Sequence, residues 1–226
     1  MTEPENNAYR HSGLVIAEEV NYWTVFVDAI LSLFIVAVFT IVYDYFSGGD
    51  NLELLAVRAK QSEFLDAFEK EFAREISDGK ITHSINGNIQ RLSFGEEILF
   101  DLGSDTLKTN GKLTLSRCLN VFSALGNNSE LYDQIMVEGH TDSVSIRKFN
   151  NLWKSGIRDN WDLSAARSNN VVRYFIGHSR LNPALFSGAA YSWYQWKRGT
   201  EPPMSRNRKI EIVLVYSANW KNKPQN

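Results

Sequence analysis

The sequences VEGHTDS at residues 137–143 and NWDLSAAR at residues 160–167 decide the fold of this chain. The first ends the strand pattern QIMVEGHT, and the second begins a helix pattern from about Asp162 to Gly177. Further patterns alternate around them: a strand over EEILFDL, a helix through Leu115, Leu119 and Phe122, a strand around Ala184–Tyr191, and a last strand over KIEIVLVY. This alternation predicts an α+β fold, in which an α/β sandwich packs its helices on one face of a mixed sheet.

A hairpin is predicted ahead of this region. The segments ITHSI and IQRLSF flank Asn86-Gly87-Asn88, and Asn-Gly between two alternating segments is the strongest short hairpin signal. The folded head is therefore predicted over residues 81–216, followed by a polar tail at residues 217–226.

The composition limits the classes of function. The 226 residues are 43% hydrophobic and 22% charged, which fits a globular domain with an attached segment and excludes a disordered chain. A formal net charge of -2 is too balanced for a nucleic-acid partner. The single cysteine, Cys118, excludes a disulfide within the chain and a multi-cysteine metal cluster, and its apolar neighbours predict a buried thiol.

An apolar run near the N-terminus predicts a single transmembrane helix. The sequence VFVDAILSLFIVAVFTIVY, residues 25–43, is interrupted by three polar residues and is long enough to cross a bilayer. Aromatic residues stand on both sides, where the headgroup regions would lie. We predict a helix over residues 22–46 after an N-terminal segment at residues 1–21, whose acidic residues favour an uncleaved anchor over a signal peptide.

Asp28 is the most informative position of this helix. An ionised carboxylate inside the bilayer costs roughly 2.5–3.5 kcal/mol on insertion scales, so something must compensate it. No Lys, Arg or His lies between residues 12 and 57. The partner is then another chain, water or a bound proton, and a carboxyl that alternates between wet and dry surroundings can relay an ion. The alternative is a carboxyl that is held neutral, or bonded to a neighbouring Ser or Thr, and that serves helix association.

A linker helix is predicted over residues 47–80. Apolar residues four positions apart form a stripe on its otherwise charged surface: Phe64, Phe68, Phe72 and Ile76. A stripe of this kind must pack against another surface. It can pack on the chain's own head, or it can pair with a second copy of the chain above the membrane.

Four ordered motifs of the head together resemble the OmpA-like peptidoglycan-binding domain. They are ILFDLGSDTL at 98–107, VEGHTDS, NWDLSAAR and NRKIEI at 207–212. The resemblance covers roughly residues 96–216, more than half of the chain.

The resemblance implies a binding site for the peptide stem of peptidoglycan. It places Asp142 and Arg167 as a clamp on diaminopimelate, with Asn160 and Leu163 shaping the same site. The charges of this pair complement those of a zwitterionic amino acid, whose ammonium can bind a carboxylate and whose carboxylate can bind an arginine guanidinium. Arg167 is predicted to open a helix one turn after Leu163 and to face Asp142. The alternative is that Asp142 and Arg167 form an ion pair that ties a loop to a helix.

Two further patterns in the head are less specific. Glu138, His140 and Asp142 alternate along one strand and would share a face, but alternation produces such sets by chance, so we predict no metal site. The basic residues Arg206, Arg208 and Lys209 are predicted to form a solvated edge. No nucleophile–base pair, phosphate loop or nucleotide motif is present in the sequence, and we predict no enzymatic activity and no cofactor.

The order of membrane helix and head resembles the MotB family of stator subunits. In that family a tryptophan stands five residues before an essential aspartate, and Trp23 and Asp28 repeat this spacing. The resemblance implies a single-pass protein of the inner membrane with a cytoplasmic N-terminus and a periplasmic head. Two copies would sit inside a ring of a MotA-like partner, a proton or a sodium ion would pass Asp28, and the head would hold peptidoglycan.

Two branches of this family are distinguished by the N-terminal region. The acidic segment before the helix and the Val-Asp-Ala context of Asp28 depart from flagellar MotB, and they favour ZorB of the Zorya anti-phage defence systems, whose ring partner is ZorA. Flagellar rotation is the first alternative. The second is a passive anchor that tethers an envelope complex to the cell wall, with Asp28 acting only in helix association.

Overall fold

The computed structural model describes residues 22–124, 129–146, 151–194 and 204–217, without the side chains of residues 46–53, 151, 204 and 205. The predicted segment at residues 1–21, and the predicted tail beyond Ser217, lie outside these residues. The chain divides into two compact units, and the boundary follows Gly49. In the first unit, Tyr22–Tyr45 is helical, exposed along its whole length, and long and apolar enough to cross a membrane.

The second unit is a five-stranded sheet with helices. The strands are β1 (Ile81–Asn86), β2 (Ile89–Gly95), β3 (Tyr132–His140), β4 (Phe186–Ser192) and β5 (Lys209–Tyr216). The helices are α1 (Tyr22–Glu71, shared with the first unit), α2 (Ala73–Ser77), α3 (Glu96–Leu99), α4 (Thr109–Ala124), α5 (Asn151–Lys154), α6 (Asn160–His178) and α7 (Met204–Asn207). The strand order is β1-β2-β5-β3-β4, with β3 and β4 parallel and the other pairs antiparallel. The predicted α+β fold with a mixed sheet is confirmed.

The predicted hairpin is confirmed. Strands β1 and β2 pair from Ile81 opposite Phe94 to Asn86 opposite Ile89. Gly87 in the turn has a φ of 61°, which glycine adopts without steric cost.

The predicted strand over EEILFDL is wrong, because its first four residues form the short helix α3. Glu96, Leu99 and Phe100 are buried, and their spacing is that of a helix rather than of a strand. Only Phe100 pairs as an isolated bridge, with Leu107. A continuous run of apolar residues fits both the period of a helix and that of a strand. The burial of Glu96 together with Leu99 and Phe100 is seen only in the structure.

The phenylalanine stripe packs on the chain's own head, as the first of its two alternatives predicts. Phe64, Phe68 and Phe72 are all fully buried in the main hydrophobic core. Their rings contact the head edge to face, at 5.3 Å between Phe64 and Phe122 and 6.1 Å between Phe68 and Phe94. Because these rings are buried inside one chain, they are not available to a second copy.

The end of α1 is also held by charged groups. Arg117 on α4 lies 2.7 Å from Glu71 and 2.6 Å from Glu75, and its guanidinium lies over the ring of Phe72 at 4.4 Å. The hydrogen bond from Arg117 lowers the pKa of the Glu75 carboxyl. In the same core Cys118 is fully buried, as predicted, and burial raises the pKa of its thiol to about 12.

Strand β3 and helix α6 approach each other most closely at Gly139. A Cβ atom on Gly139 would lie 2.1 Å from the backbone oxygen of Ser164. We expect Gly139→Ala to lower the free energy of unfolding by about 1–3 kcal/mol, because the two backbones must separate. Urea unfolding of the detergent-solubilised chain, followed by tryptophan fluorescence, measures this change.

Gly177 provides the matched control for this prediction. A Cβ atom there meets nothing within 4 Å, so Gly177→Ala should leave the stability unchanged or raise it by up to about 1 kcal/mol. Equal stabilities of the Gly139→Ala variant and the wild type would show that β3 and α6 do not make this contact.

Candidate functional site

A cavity of about 400 Å³ opens between the end of β3 and the first turns of α6. It is lined by all four residues that were predicted to bind peptidoglycan: Asp142, Asn160, Leu163 and Arg167. The structure thus brings these residues together, while their role in binding stays a prediction. Further lining residues include apolar Leu102, Ile146 and Leu152 and charged Glu96 and Arg208.

Helix α6 positions three of the four residues. The carboxylate of Asp159 caps the helix by accepting a hydrogen bond of 2.9 Å from the backbone N–H of Asp162. Asn160, Leu163 and Arg167 then follow at spacings of three and four residues, which places them on one face. The expectation that Arg167 opens the helix is wrong, because α6 begins at Asn160 and Arg167 lies about two turns inside it.

Asn160 fixes the loop that follows β3. Its side-chain N–H donates to the backbone oxygen of Asp142 at 2.9 Å and to that of Val144 at 3.1 Å. The backbone N–H of Val144 in turn donates to the Asp142 carboxylate at 3.1 Å. Leu163 lies underneath, in a small apolar cluster with Leu152 and Ile157. The loop and its carboxylate are therefore held in place by the helix.

Arg167 is bonded to the protein on two sides. Its Nη2 donates to Glu96 at 2.8 Å, and its Nε donates to the backbone oxygen of Ser104 at 2.8 Å. The guanidinium also lies 5.2 Å from the centre of the Phe100 ring. Arg167 is only 2% exposed, so this group is a buried part of the cavity wall.

Arg208 completes a row of alternating charges. It donates to Asp142 at 2.8 Å, and its Nε lies 3.3 Å from the other oxygen of Glu96. The second contact is an ion pair that is not aligned as a hydrogen bond. The row therefore runs from Arg167 through Glu96 and Arg208 to Asp142. The hydrogen bond with Asp142 raises the pKa of Arg208, which stays charged at any physiological pH.

This row corrects two expectations. Within the described part of the chain, Asp142 and Arg167 do not pair with each other, so the alternative of a direct ion pair is wrong. Arg208 is more than part of a solvated edge, because its partly exposed side chain also pairs with Asp142 and lies near Glu96 in the cavity. Sequence reasoning missed Glu96 and Arg208 as site residues. Two acidic residues, Glu96 and Glu97, precede the apolar run ILF, and nothing in that pattern indicates which of them is buried.

The alternating residues Glu138, His140 and Asp142 do not lie together on one face. Strand β3 ends at His140, so Asp142 turns into the cavity, while Glu138 and His140 lie near Glu211 of β5. Burial by itself raises the pKa of Glu138, but the His140 ring and the Arg91 guanidinium more than offset this effect. The net pKa lies below its ordinary value, and the carboxyl is ionised at neutral pH.

Comparisons with known proteins agree with this architecture. Residues 99–209 match the model of the OmpA family. The uncharacterized protein YtxE of Bacillus subtilis (strain 168) is 31% identical over 124 residues, which are 54% of this chain and 46% of that protein. The chain therefore spans about half the length of this relative.

Two solved structures share the fold. A MotB-like protein from Desulfovibrio vulgaris superposes with a TM-score of 0.59 at 23% identity, over 74% of this chain and 99% of that one. The cell wall anchor of the type VI secretion system of Pseudomonas aeruginosa gives a TM-score of 0.51 at 18% identity, over 66% of this chain and 96% of that one. The predicted OmpA-like domain is confirmed at the level of its fold: the chain has an N-terminal apolar helix followed by a mixed α/β domain with the fold of OmpA and MotB domains, and residues 99–209 of it match the OmpA family model.

Proposed function

We propose that the head binds the zwitterionic amino acid of a peptidoglycan peptide stem, such as diaminopimelate, in the cavity between β3 and α6. The observation that carries the proposal is the pairing of Asp142 with Arg208 in this cavity, at 2.8 Å, beside the buried Arg167. An anionic and a cationic group at this separation complement an ammonium and a carboxylate carried on one carbon. The match to the OmpA family over residues 99–209 supports the same ligand.

The two ion pairs of the row have different parts in this proposal. The side chain of Arg208 is 33% exposed and that of Asp142 is 13% exposed, so the pair lies where a ligand that enters the cavity can reach both groups and replace each partner with its own charge. Asp142 then accepts from the ligand ammonium, and Arg208 donates to the ligand carboxylate. The buried pair of Arg167 and Glu96 stays closed and holds the wall of the cavity. The apolar lining contacts the methylene groups of the ligand.

Sedimentation of the full-length protein with peptidoglycan sacculi tests this site. We expect Asp142→Asn to weaken binding roughly 10- to 100-fold, because a charged hydrogen bond contributes about 1.5–3 kcal/mol. Free diaminopimelate should compete with the sacculi for the wild-type protein. Sacculi whose stems carry lysine in place of diaminopimelate lack the second carboxylate and should sediment less of the protein.

Asp66→Asn is the control, because it removes an exposed carboxylate from α1, outside the cavity. Equal sedimentation of the Asp142→Asn variant, the Asp66→Asn variant and the wild type would exclude the cavity as the binding site.

We further propose that the chain is the membrane subunit of an ion-driven stator. The supporting observation is the position of Asp28 inside the candidate span Tyr22–Tyr45. Two copies, with cytoplasmic N-termini, would stand in the inner membrane inside a ring of a MotA-like subunit, and a proton or a sodium ion would pass Asp28. The sequence around Asp28 favours the anti-phage branch, with ZorA as the ring subunit, over flagellar rotation.

A passive wall anchor is the second candidate. It rests on the cavity alone, because a head that grips the wall needs no ion pathway. In that case Asp28 serves only helix association, and removing its charge changes assembly rather than activity.

A further inference from the structure

Three ionisable side chains lie close together on the face of the sheet that is turned away from α6. Glu138 of β3 stands directly opposite Glu211 of β5 in the antiparallel register, and His140 follows two residues after Glu138. The neighbouring Gly139 contacts α6 on the other face. The three side chains are thus separate from the cavity that holds Asp142.

The ligand atoms of this cluster lie close enough together to approach one metal ion. Nε2 of His140 lies 3.6 Å from Oε2 of Glu138 and 3.8 Å from Oε2 of Glu211. All three ligand atoms lie within 4.8 Å of one another. In a tetrahedral zinc site with bonds of about 2.0–2.1 Å, neighbouring ligand atoms are about 3.4 Å apart. The two distances to His140 are slightly longer than this value, and side-chain rotation must bring the three ligand atoms closer before they can hold a metal ion.

His140 is the observation that points to a ligand. Its side chain is 2% exposed, and neither ring nitrogen has a hydrogen-bond partner in the described part of the chain. Nε2 faces the two carboxylates from beyond hydrogen-bond distance, and a buried polar atom without a hydrogen bond costs about 1–3 kcal/mol, which native proteins rarely accept without a reason. The ring is held against Tyr191, with a stacking distance of 5.3 Å, so its Nε2 stays directed at the two carboxylates.

Two basic residues already neutralise these carboxylates. Arg91 lies 2.8 Å from Glu138 and 3.2 Å from Glu211, and Lys209 lies 2.5 Å from the second oxygen of Glu211. Arg91 contacts the same two oxygens that face His140. Its side chain is 39% exposed, so it can leave for solvent when another cation arrives. Glu211 also lines an open cavity of about 750 Å³, so one of the three residues borders a space that is open to solvent.

We propose that Glu138, His140 and Glu211 form a binding site for a divalent first-row transition metal ion, with Zn²⁺ as the preferred ion. One imidazole nitrogen and two carboxylate oxygens are a donor set that zinc accepts, and water would complete the coordination. Arg91 is the counter-ion of the metal-free form, and the metal replaces it between the carboxylates. The site is independent of the proposed binding of peptidoglycan.

Titration of the full-length, detergent-solubilised protein with Zn²⁺ against a chromophoric chelator tests the site, with Co²⁺ absorption as a second readout of the ligands. We expect one equivalent of Zn²⁺ to bind, and Glu211→Gln and His140→Gln each to weaken it by at least tenfold. Arg91→Met should tighten it, because the competing cation is removed. His83→Gln is the control, since His83 pairs with Glu69 at 3.0 Å on another part of the surface.

The outcome does not depend on the folding of one variant. Circular dichroism identifies a variant that has lost its fold. Glu211 is the more exposed of the two tested ligands, so its variant is the less disruptive one. If His140→Gln unfolds the head, the Glu211→Gln variant still provides the test. Zn²⁺ binding that is absent from the wild type, or that is equal in the Glu211→Gln variant and the wild type, would overturn the proposal. So would an Arg91→Met variant that binds Zn²⁺ more weakly than the wild type.

Discussion

Replacing Arg167 with alanine is expected to lower the free energy of unfolding of the head by about 3–5 kcal/mol. Arg167 is 2% exposed and bonded to Glu96, which is itself 5% exposed. Among the described residues, removing the guanidinium leaves the buried Glu96 carboxylate with the 3.3 Å contact to Arg208, and it takes away the Arg167 donor of the Ser104 backbone oxygen. Urea unfolding of the detergent-solubilised chain measures this loss.

Two further variants separate the buried pair from other effects. Arg173→Ala removes an exposed arginine from the same helix and should change the stability by no more than about 0.5 kcal/mol. The double change Arg167→Met with Glu96→Gln should recover part of the loss, because no unpaired charge is left buried. If Arg167→Ala kept the wild-type stability and lost only peptidoglycan binding, Arg167 would be a ligand-binding group and not a part of the cavity wall.

The stator proposal predicts that replacing Asp28 with asparagine abolishes the proposed activity in cells while the complex with the proposed ring subunit stays intact. Asparagine has nearly the same size as aspartate but cannot take up and release a proton. The change therefore stops an ion relay, whereas a contact that serves only helix packing would remain. The measurement is phage protection and swimming, in parallel, in cells whose own copy is deleted, with co-purification of the neighbouring membrane protein as the assembly check.

The control for Asp28 lies on the same helix. Asp44 is exposed near the other end of the candidate span, and Asp44→Asn should preserve activity. Loss of phage protection with an intact Asp28→Asn complex supports a defence stator, and loss of swimming indicates a flagellar one. Unchanged activity in both assays contradicts the stator proposal, and loss of the complex itself favours the passive anchor.

The sequence predicts the fold where local signals and tertiary packing agree. The Asn-Gly turn, the β5 pattern KIEIVLVY and the α6 pattern each determine one element, and the structure contains all three. The segment EEILFDL fails, because its apolar residues are consecutive and fit both a strand and a helix. In the structure Glu96 of α3 accepts a hydrogen bond from Arg167, 71 positions away, and no local pattern contains that contact.

The candidate site also contains residues that the sequence predicts and residues that it does not. Asp142, Asn160, Leu163 and Arg167 lie in recognisable motifs, and the structure gathers them around one cavity. Their partners could not be assigned from spacing, because Glu96 and Arg208 come from segments 71 and 66 positions away from the residues that they bond. The motif NRKIEI places a basic residue before a strand, but only the sheet order brings that strand beside β3.

The phenylalanine stripe has a mechanical consequence. Pulling α1 off the head would expose three rings, and burial of about 150–250 Å² per ring at about 25 cal/mol per Å² corresponds to roughly 10–20 kcal/mol. This is as large as the whole stability of an ordinary domain, which is about 5–15 kcal/mol. Under tension the helix and the head therefore part only when the head itself unfolds. A hinge that lets the head extend must lie outside the segment between Val57 and Phe72, since both of these side chains are anchored in the core.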